Sequence, residues 1–167
     1  MDPALITPFI KSVQNVFATM LQLPVEVEQP TIKDGNTATY DVSAIIGMSG
    51  DCVGSVVLSF EQDSALRIVA LFTGTEVTPD SPDFTDAVGE LVNMISGGAK
   101  ALFQGRKASI STPSVVLGAK HVITAQRDMP VIVLPCVTDC GRFAIEIAIQ
   151  DQVEDAASAQ ATSAAKA

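Results

Sequence analysis

Apolar residues keep a helical period near the start of the chain and then switch to a period of two. Phe9, Ile10, Val13, Val16, Phe17, Met20 and Leu21 recur at intervals of three and four. That spacing predicts an amphipathic helix, with Thr7 as N-cap, Pro8 at the first helical position and a stop before Pro24. Asp34-Gly35-Asn36 is a turn signal, after which Ala38, Tyr40, Val42, Ala44 and Ile46 alternate with mostly polar neighbours, as in a half-buried strand. The stretch GMSGDCVG, residues 47–54, reads as the next turn, and Val56, Leu58 and Phe60 resume the alternation. Its three glycines lack the Lys-Ser/Thr and helix start of a phosphate cradle, so a hairpin is the expectation.

Residues 61–74, EQDSALRIVALFTG, predict a short helix closed by Gly74. An acidic loop with two prolines, TEVTPDSPD, leads into a long helix, and residues 106–130 read as irregular. The fold should end in a hairpin, VIVLPCV and RFAIEIAIQ joined by TDCG. There Phe143, Ile145, Ile147 and Ile149 face the core while Glu146 faces water. The sum is an α+β fold: an antiparallel-rich sheet of hairpins with two long helices packed on one face. Residues 1–150 form one domain. Residues 151–167, DQVEDAASAQATSAAKA, read as a flexible tail, with a weak alanine-rich helix as the alternative.

The long helix carries the candidate chemistry. Asp83 is its expected N-cap, with Asp86 three residues on as an imperfect capping box. Phe84, Ala87, Val88, Leu91, Ile95, Ala99, Leu102 and Phe103 trace a buried stripe. The opposite stripe reads Asp86, Glu90, Asn93, Gly97, Lys100, and residues three and four apart are neighbours on a helix surface. Glu90 and Asn93 therefore project side by side, with Gly97 one turn further on. Each glycine of Gly97-Gly98 costs a helix interior about 1 kcal/mol against alanine. That cost makes sense where another backbone must come close. Close packing of Gly98 on the sheet would explain one glycine but not both, and a purely solvated face remains open as a reading of Glu-x-x-Asn.

Composition narrows the classes of function. The net charge of the 167-residue chain is -9, which argues against nucleic acid and anionic membrane surfaces as partners. No apolar run is long enough to span a membrane, and MDPALITPFIKS lacks the basic start of a signal peptide. Three cysteines without a repeating spacing form no disulfide framework, so a cytoplasmic protein with free thiols is expected. His121, the one histidine, has no companions for a metal site and reads as structural or exposed. Cys136 and Cys140 lie too far apart for a thioredoxin-like motif and read as buried or turn thiols, with redox control a minor alternative. Lys100, Arg106 and Lys107 suit the C-terminal end of a helix dipole, or could meet an acidic partner.

With the helix ELVNMISGGAK in place, the sequence resembles the CheC/CheX/FliY family of chemotaxis phosphatases, its CheX branch in particular. The resemblance covers roughly residues 4–149. It rests on that helix, on PFIKSVQNVFATML, on GMSGDCVGSVVLSF before SALRIVALFTG, and on STPSVVLG. CheC-type members commonly carry two Glu-x-x-Asn motifs, whereas this chain has KSVQN where the second would be, which favours the CheX branch. The resemblance implies an enzyme that hydrolyses the aspartyl phosphate of a CheY-type response regulator. Asn93 would orient the attacking water and Glu90 would engage the receiver's lysine. Asp86, Gly97 and Lys100 would border the contact. The chain would bind no cofactor of its own, the Mg²⁺ coming with the receiver, and would form a homodimer. A non-catalytic docking module on the same fold, binding a receiver or a flagellar component, is the alternative.

Overall fold

The structure is a computed structural model that describes residues 1–125 and 128–152. Helix α1, Pro3–Val16, is capped one turn earlier than the sequence predicts. Asp2 accepts a hydrogen bond from the Ala4 amide at 2.9 Å, and Pro3 takes the first helical position. Thr7 and Pro8 offer the same signature, but Leu5 is already buried and extends the apolar stripe one turn back. Pro8 therefore lies inside the helix, where it withholds a bond from the exposed Ala4. A single π-helical turn, Phe17–Leu21, ends at Gln22 in the left-handed conformation.

The strands are β1 (Glu26–Val27), β2 (Thr31–Ile32), β3 (Val42–Gly50), β4 (Cys52–Phe60), β5 (Ala108–Ile110), β6 (Ser114–Leu117), β7 (Ile132–Thr138) and β8 (Gly141–Asp151). The order across the sheet is β1-β7-β8-β4-β3-β5, with β2 also pairing β7 and β6 also pairing β3, every pairing antiparallel. Strand pairing runs through most of the expected turn at 47–54, and only the bend at Asp51 reverses the chain. Conversely, residues 38–41 lie outside the strand expected to begin at Ala38. The stretch expected to be irregular supplies β5 and β6, because both find a partner in β3. Strand β8 reaches Asp151, one residue into the expected tail, while residues 153–167 lie outside the described residues.

Helices α1, α2 (Gln62–Thr73) and α3 (Pro82–Ala101) cover one face of the sheet. Helix α2 ends as expected at Gly74, whose φ of 75° suits glycine. Val42, Ala44, Ile46, Leu58, Phe60, Phe143, Ile145 and Ile147 meet Leu5, Phe9, Val13, Phe17, Ile68, Leu91 and Ile95 in a continuous core. Phe17 stacks on Phe143 at 4.9 Å between ring centroids, and Phe60, the cross-strand partner of Phe143 on β4, lies 5.2 Å from it.

The second face of the sheet corrects one expectation. Glu146 does not face water: it is 3% exposed. The segments around residues 33–40 and 118–125 cross over that face and bond to each other, Ala38 N–H to His121 C=O and Ile123 N–H to Asn36 C=O. Beneath them Lys33 forms an ion pair with Glu146, and the Thr39 hydroxyl and amide donate to the same carboxylate. A carboxylate with this many donors is tolerated inside a protein; a lone lysine is not. Glu146→Ala is therefore expected to destabilise the fold by about 3–5 kcal/mol, because it strands the Lys33 charge. Replacing both partners by apolar residues should cost far less. Denaturant titration checks both, and a loss below about 1 kcal/mol for the single change would mean that the pair carries little of the cover's stability.

Candidate functional site

Helix α3 starts at Pro82 with Ser81 as N-cap, its hydroxyl accepting from Asp83 N–H at 3.2 Å. Asp83, the expected cap, is the second helical residue, because Pro82 already occupies the first helical position. Phe84, Ala87, Val88, Leu91, Ile95 and Ala99 are buried as their periodicity implies, whereas Leu102 is 47% exposed beyond the helix end. Gly89, Val92 and Ser96 are buried as well, so the apolar contact wraps further round the helix than the expected stripe. Helix α3 touches α1, α2 and strands β3 to β6. What stays open is a narrow band.

That band contains the stripe read from the sequence. Asp86 and Glu90 are exposed, and Asn93 and Gly97 are half-buried. Among the described residues none of the Asp86, Glu90 and Asn93 side chains has a hydrogen bond or ion pair within the chain. A Cβ added at Gly97 would meet nothing within 4 Å, so the glycine leaves an open step in the helix surface beside Asn93. Gly98 is different. A Cβ there would collide with the Ser12 hydroxyl, which donates to Ile95 C=O at 2.7 Å. The close approach that Gly98 permits is to α1, not to the sheet. The two adjacent glycines thus do separate things, one seating α1 and one leaving α3 bare.

Lys100, at the end of the stripe, and Arg106 beyond it are engaged inside the chain through their side chains. Lys100 Nζ donates to Ala108 C=O at 3.3 Å, turning it toward β5. Arg106 forks onto Asp151, at 2.6 and 2.9 Å, and also holds the α1 cap Asp2 at 3.0 Å. The same guanidinium keeps the Asp151 carboxyl below its ordinary range by hydrogen bonding. Lys107 is tied in only through its backbone amide, which donates to the Asp51 carboxylate at 2.7 Å. His121 pins a loop: one ring nitrogen is 2.7 Å from Gly118 C=O and the other 2.7 Å from the Ser43 hydroxyl. Burial pushes the Cys136 thiol up to about 12 and raises that of Cys140, so neither is a ready thiolate at neutral pH. Among the described residues no group of three or more His, Cys, Asp or Glu could hold a metal, and no helix is long and apolar enough to cross a membrane.

Two clefts flank Glu90 that sequence reasoning did not anticipate. One is lined by Thr85, Asp86, Gly89, Glu90, Pro113 and Val115, the other by Phe72, Thr73, Thr75, Asp83, Asp86 and Glu90 among others. Glu90 and Asp86 belong to both, so the carboxylates stand on a ridge between two hollows. A third glycine directly before Glu90 was the available signal for the first cleft. Its side-chain-free surface is buried against Pro113.

This geometry can be compared with known proteins. The family model described as chemotaxis phosphatase CheX matches residues 42–137. A curated relative, the CheY-P phosphatase CheX of Thermotoga maritima, is 28% identical over 121 residues, spanning 71% of this chain and 78% of that protein. The crystal structure of a chemotaxis protein CheX from Desulfovibrio desulfuricans superposes with a TM-score of 0.80 at 35% identity, covering 89% of this chain and 99% of that one. A CheX from Borrelia burgdorferi, solved as a complex with CheY, BeF3 and Mg²⁺, shares the fold with a TM-score of 0.72 at 23% identity, over 88% of this chain and 98% of its own. Matched by the family model over more than half its length, this chain belongs to the CheX family of chemotaxis phosphatases.

Proposed function

We propose that this protein hydrolyses the aspartyl phosphate of a CheY-type receiver domain. The observation that carries the reading is the open band of α3, where the Glu90 and Asn93 side chains stand with no partner among the described residues beside a glycine that offers no obstruction. Phosphoryl transfer runs through a loose transition state, so a helper protein contributes by positioning water and stabilising charge. The Asn93 carboxamide both donates and accepts hydrogen bonds and does not titrate, so it can hold a water in line at any physiological pH. Glu90, three residues earlier on the same face, pairs with a lysine of the receiver and fixes the helix over the phosphoryl group. Asp86 borders the contact one turn before, and Gly97 lets the cleft wall pass. Lys100 lies at the far end of the stripe, where its bond to Ala108 must loosen before it can reach a partner.

The Borrelia burgdorferi protein assembles with CheY, BeF3 and Mg²⁺, the fluoride complex standing in for a phosphoryl group. In keeping with that, the metal here comes with the receiver and this chain binds none. The free cysteines suit a cytoplasmic setting. Self-association is part of the proposal, because β5 and β6 leave a sheet edge uncovered and Leu117 on β6 is 44% exposed. A monomer in sedimentation at tens of micromolar would remove it.

Phosphate release from a purified, phosphorylated CheY-type receiver, with and without this protein and with Mg²⁺ present or chelated, is the direct test. Stimulated release that needs Mg²⁺ is the expected result; no stimulation would leave only a docking role. Within that assay Asn93→Ala should lose most of the stimulation, at least about a hundredfold, while receiver affinity changes little. Glu90→Ala should weaken affinity and turnover together, since its contact forms on binding. Unchanged affinity for the Glu90 variant would sink the lysine pairing. Gly97→Leu should gain helix stability by up to about 1 kcal/mol and still lose activity severely, because the new side chain fills the open step. A stable and fully active Gly97→Leu would show that the receiver does not approach along this band.

A further inference from the structure

Pro113 meets α3 at the residue before Glu90. A Cβ on Gly89 would lie 3.2 Å from Pro113 Cγ, 3.5 Å from its Cβ and 3.7 Å from a Val115 methyl. Glycine is what lets the proline ring seat against the helix backbone there. Pro113 is itself held from the sheet. It closes the link between β5 and β6, both paired to β3, and within that link Ser111 N–H donates to Gly47 C=O while Gly47 N–H donates to the Ser111 hydroxyl, each at 2.9 Å. The proline ring also forms a wall of the cleft that Glu90 borders.

We infer that the Gly89–Pro113 contact is a positioning device: it sets how far the turn of α3 bearing Glu90 and Asn93 stands out from the sheet edge. The inference rests on the phosphatase reading above and deepens it. An α-helix moves as a unit over one turn, so a displacement at position 89 passes to Glu90 and Asn93 together. Pro113 reaches no substrate in this role; it acts through the helix. Positioning matters here because the chemistry asks little of the helper except alignment, and misplacing a catalytic group by about 1 Å can cost about a hundredfold in rate.

The test is a steric exchange. Gly89→Ala adds one methyl against the ring, Pro113→Ala removes the atoms it would meet, and the third variant carries both. Each is assayed with a CheY-type receiver, charged with acetyl phosphate for turnover and with beryllofluoride for affinity, beside its thermal midpoint. Gly89→Ala should lower turnover about tenfold with affinity within about threefold of wild type. Its midpoint should not fall, since alanine is the better helix former. Adding Pro113→Ala should return turnover to the level of Pro113→Ala alone. A Gly89→Ala protein with wild-type turnover overturns the inference, as does a double variant whose turnover stays below that of Pro113→Ala alone. Affinity lost in step with turnover also overturns it, making the wall a docking contact instead. If wild-type protein itself fails to accelerate dephosphorylation, the proposed function falls and this refinement falls with it; with an active wild type, the variants judge the contact alone.

Discussion

Helix α3 is wedged from three directions, and the chemistry proposed for its open band depends on that confinement. The sheet takes its apolar stripe, α1 lies along Gly98 through Ser12, and the β5–β6 link closes on Gly89 through Pro113. Glycine inside a helix costs about 1 kcal/mol against alanine, so three of them in one helix is a large concession. Two are repaid by contacts that a methyl would prevent. The third, Gly97, touches nothing and leaves the surface bare beside Asn93. Confinement on the other sides is what makes the bare side a defined feature and not a generic solvated face.

The platform behind the helix is stiffened from its second face. Glu146 is buried under the crossing segments and held there by Lys33 and Thr39 of one of them, and His121 bonds across to Ser43 on β3. Buried polar groups of this kind hold only when each finds its partners, so they tie the cover to one register over the strands. Strand β3 then carries both β5 and β6, and through them the buttress at Pro113. The chain from Ser43 to Glu90 is continuous: a pinned strand, a strand link bonded to it, a proline, a helix. At the opposite end of α3, Arg106 joins the α1 cap to the end of β8, which fixes the two chain ends of the described fold beside each other.

Much of this was legible in the residues. The helical period of Phe84 to Ala99 defined the buried side of α3 and therefore the opposite stripe of Asp86, Glu90, Asn93 and Gly97. Gly74 ended α2 and the Thr138–Gly141 turn made the β7–β8 hairpin, because both are local decisions taken within a few residues. Period and turn chemistry report which side of an element is apolar. They do not report what covers the other side. Glu146 alternates with isoleucines as a wet-face residue would, yet its cover comes from Lys33, 113 residues away. Lys100 and Arg106 read as cations suited to a helix dipole or to an acidic partner, and their partners Ala108 and Asp151 are fixed only once β5 and β8 are in place. Gly98 signalled a close approach without naming α1 as the element that makes it. Gly89 looked like any other small residue until β3 brought Pro113 to it. The sequence by itself determined the three helices, the β3–β4 and β7–β8 hairpins, their apolar faces and the stripe that carries Glu90 and Asn93, since those follow from near neighbours along the chain, whereas β5 and β6 exist because β3 pairs with them. Tertiary structure alone decided which polar groups are spent inside the fold and which are left facing out, because hydrogen-bond and steric partners are chosen across tens of residues by packing.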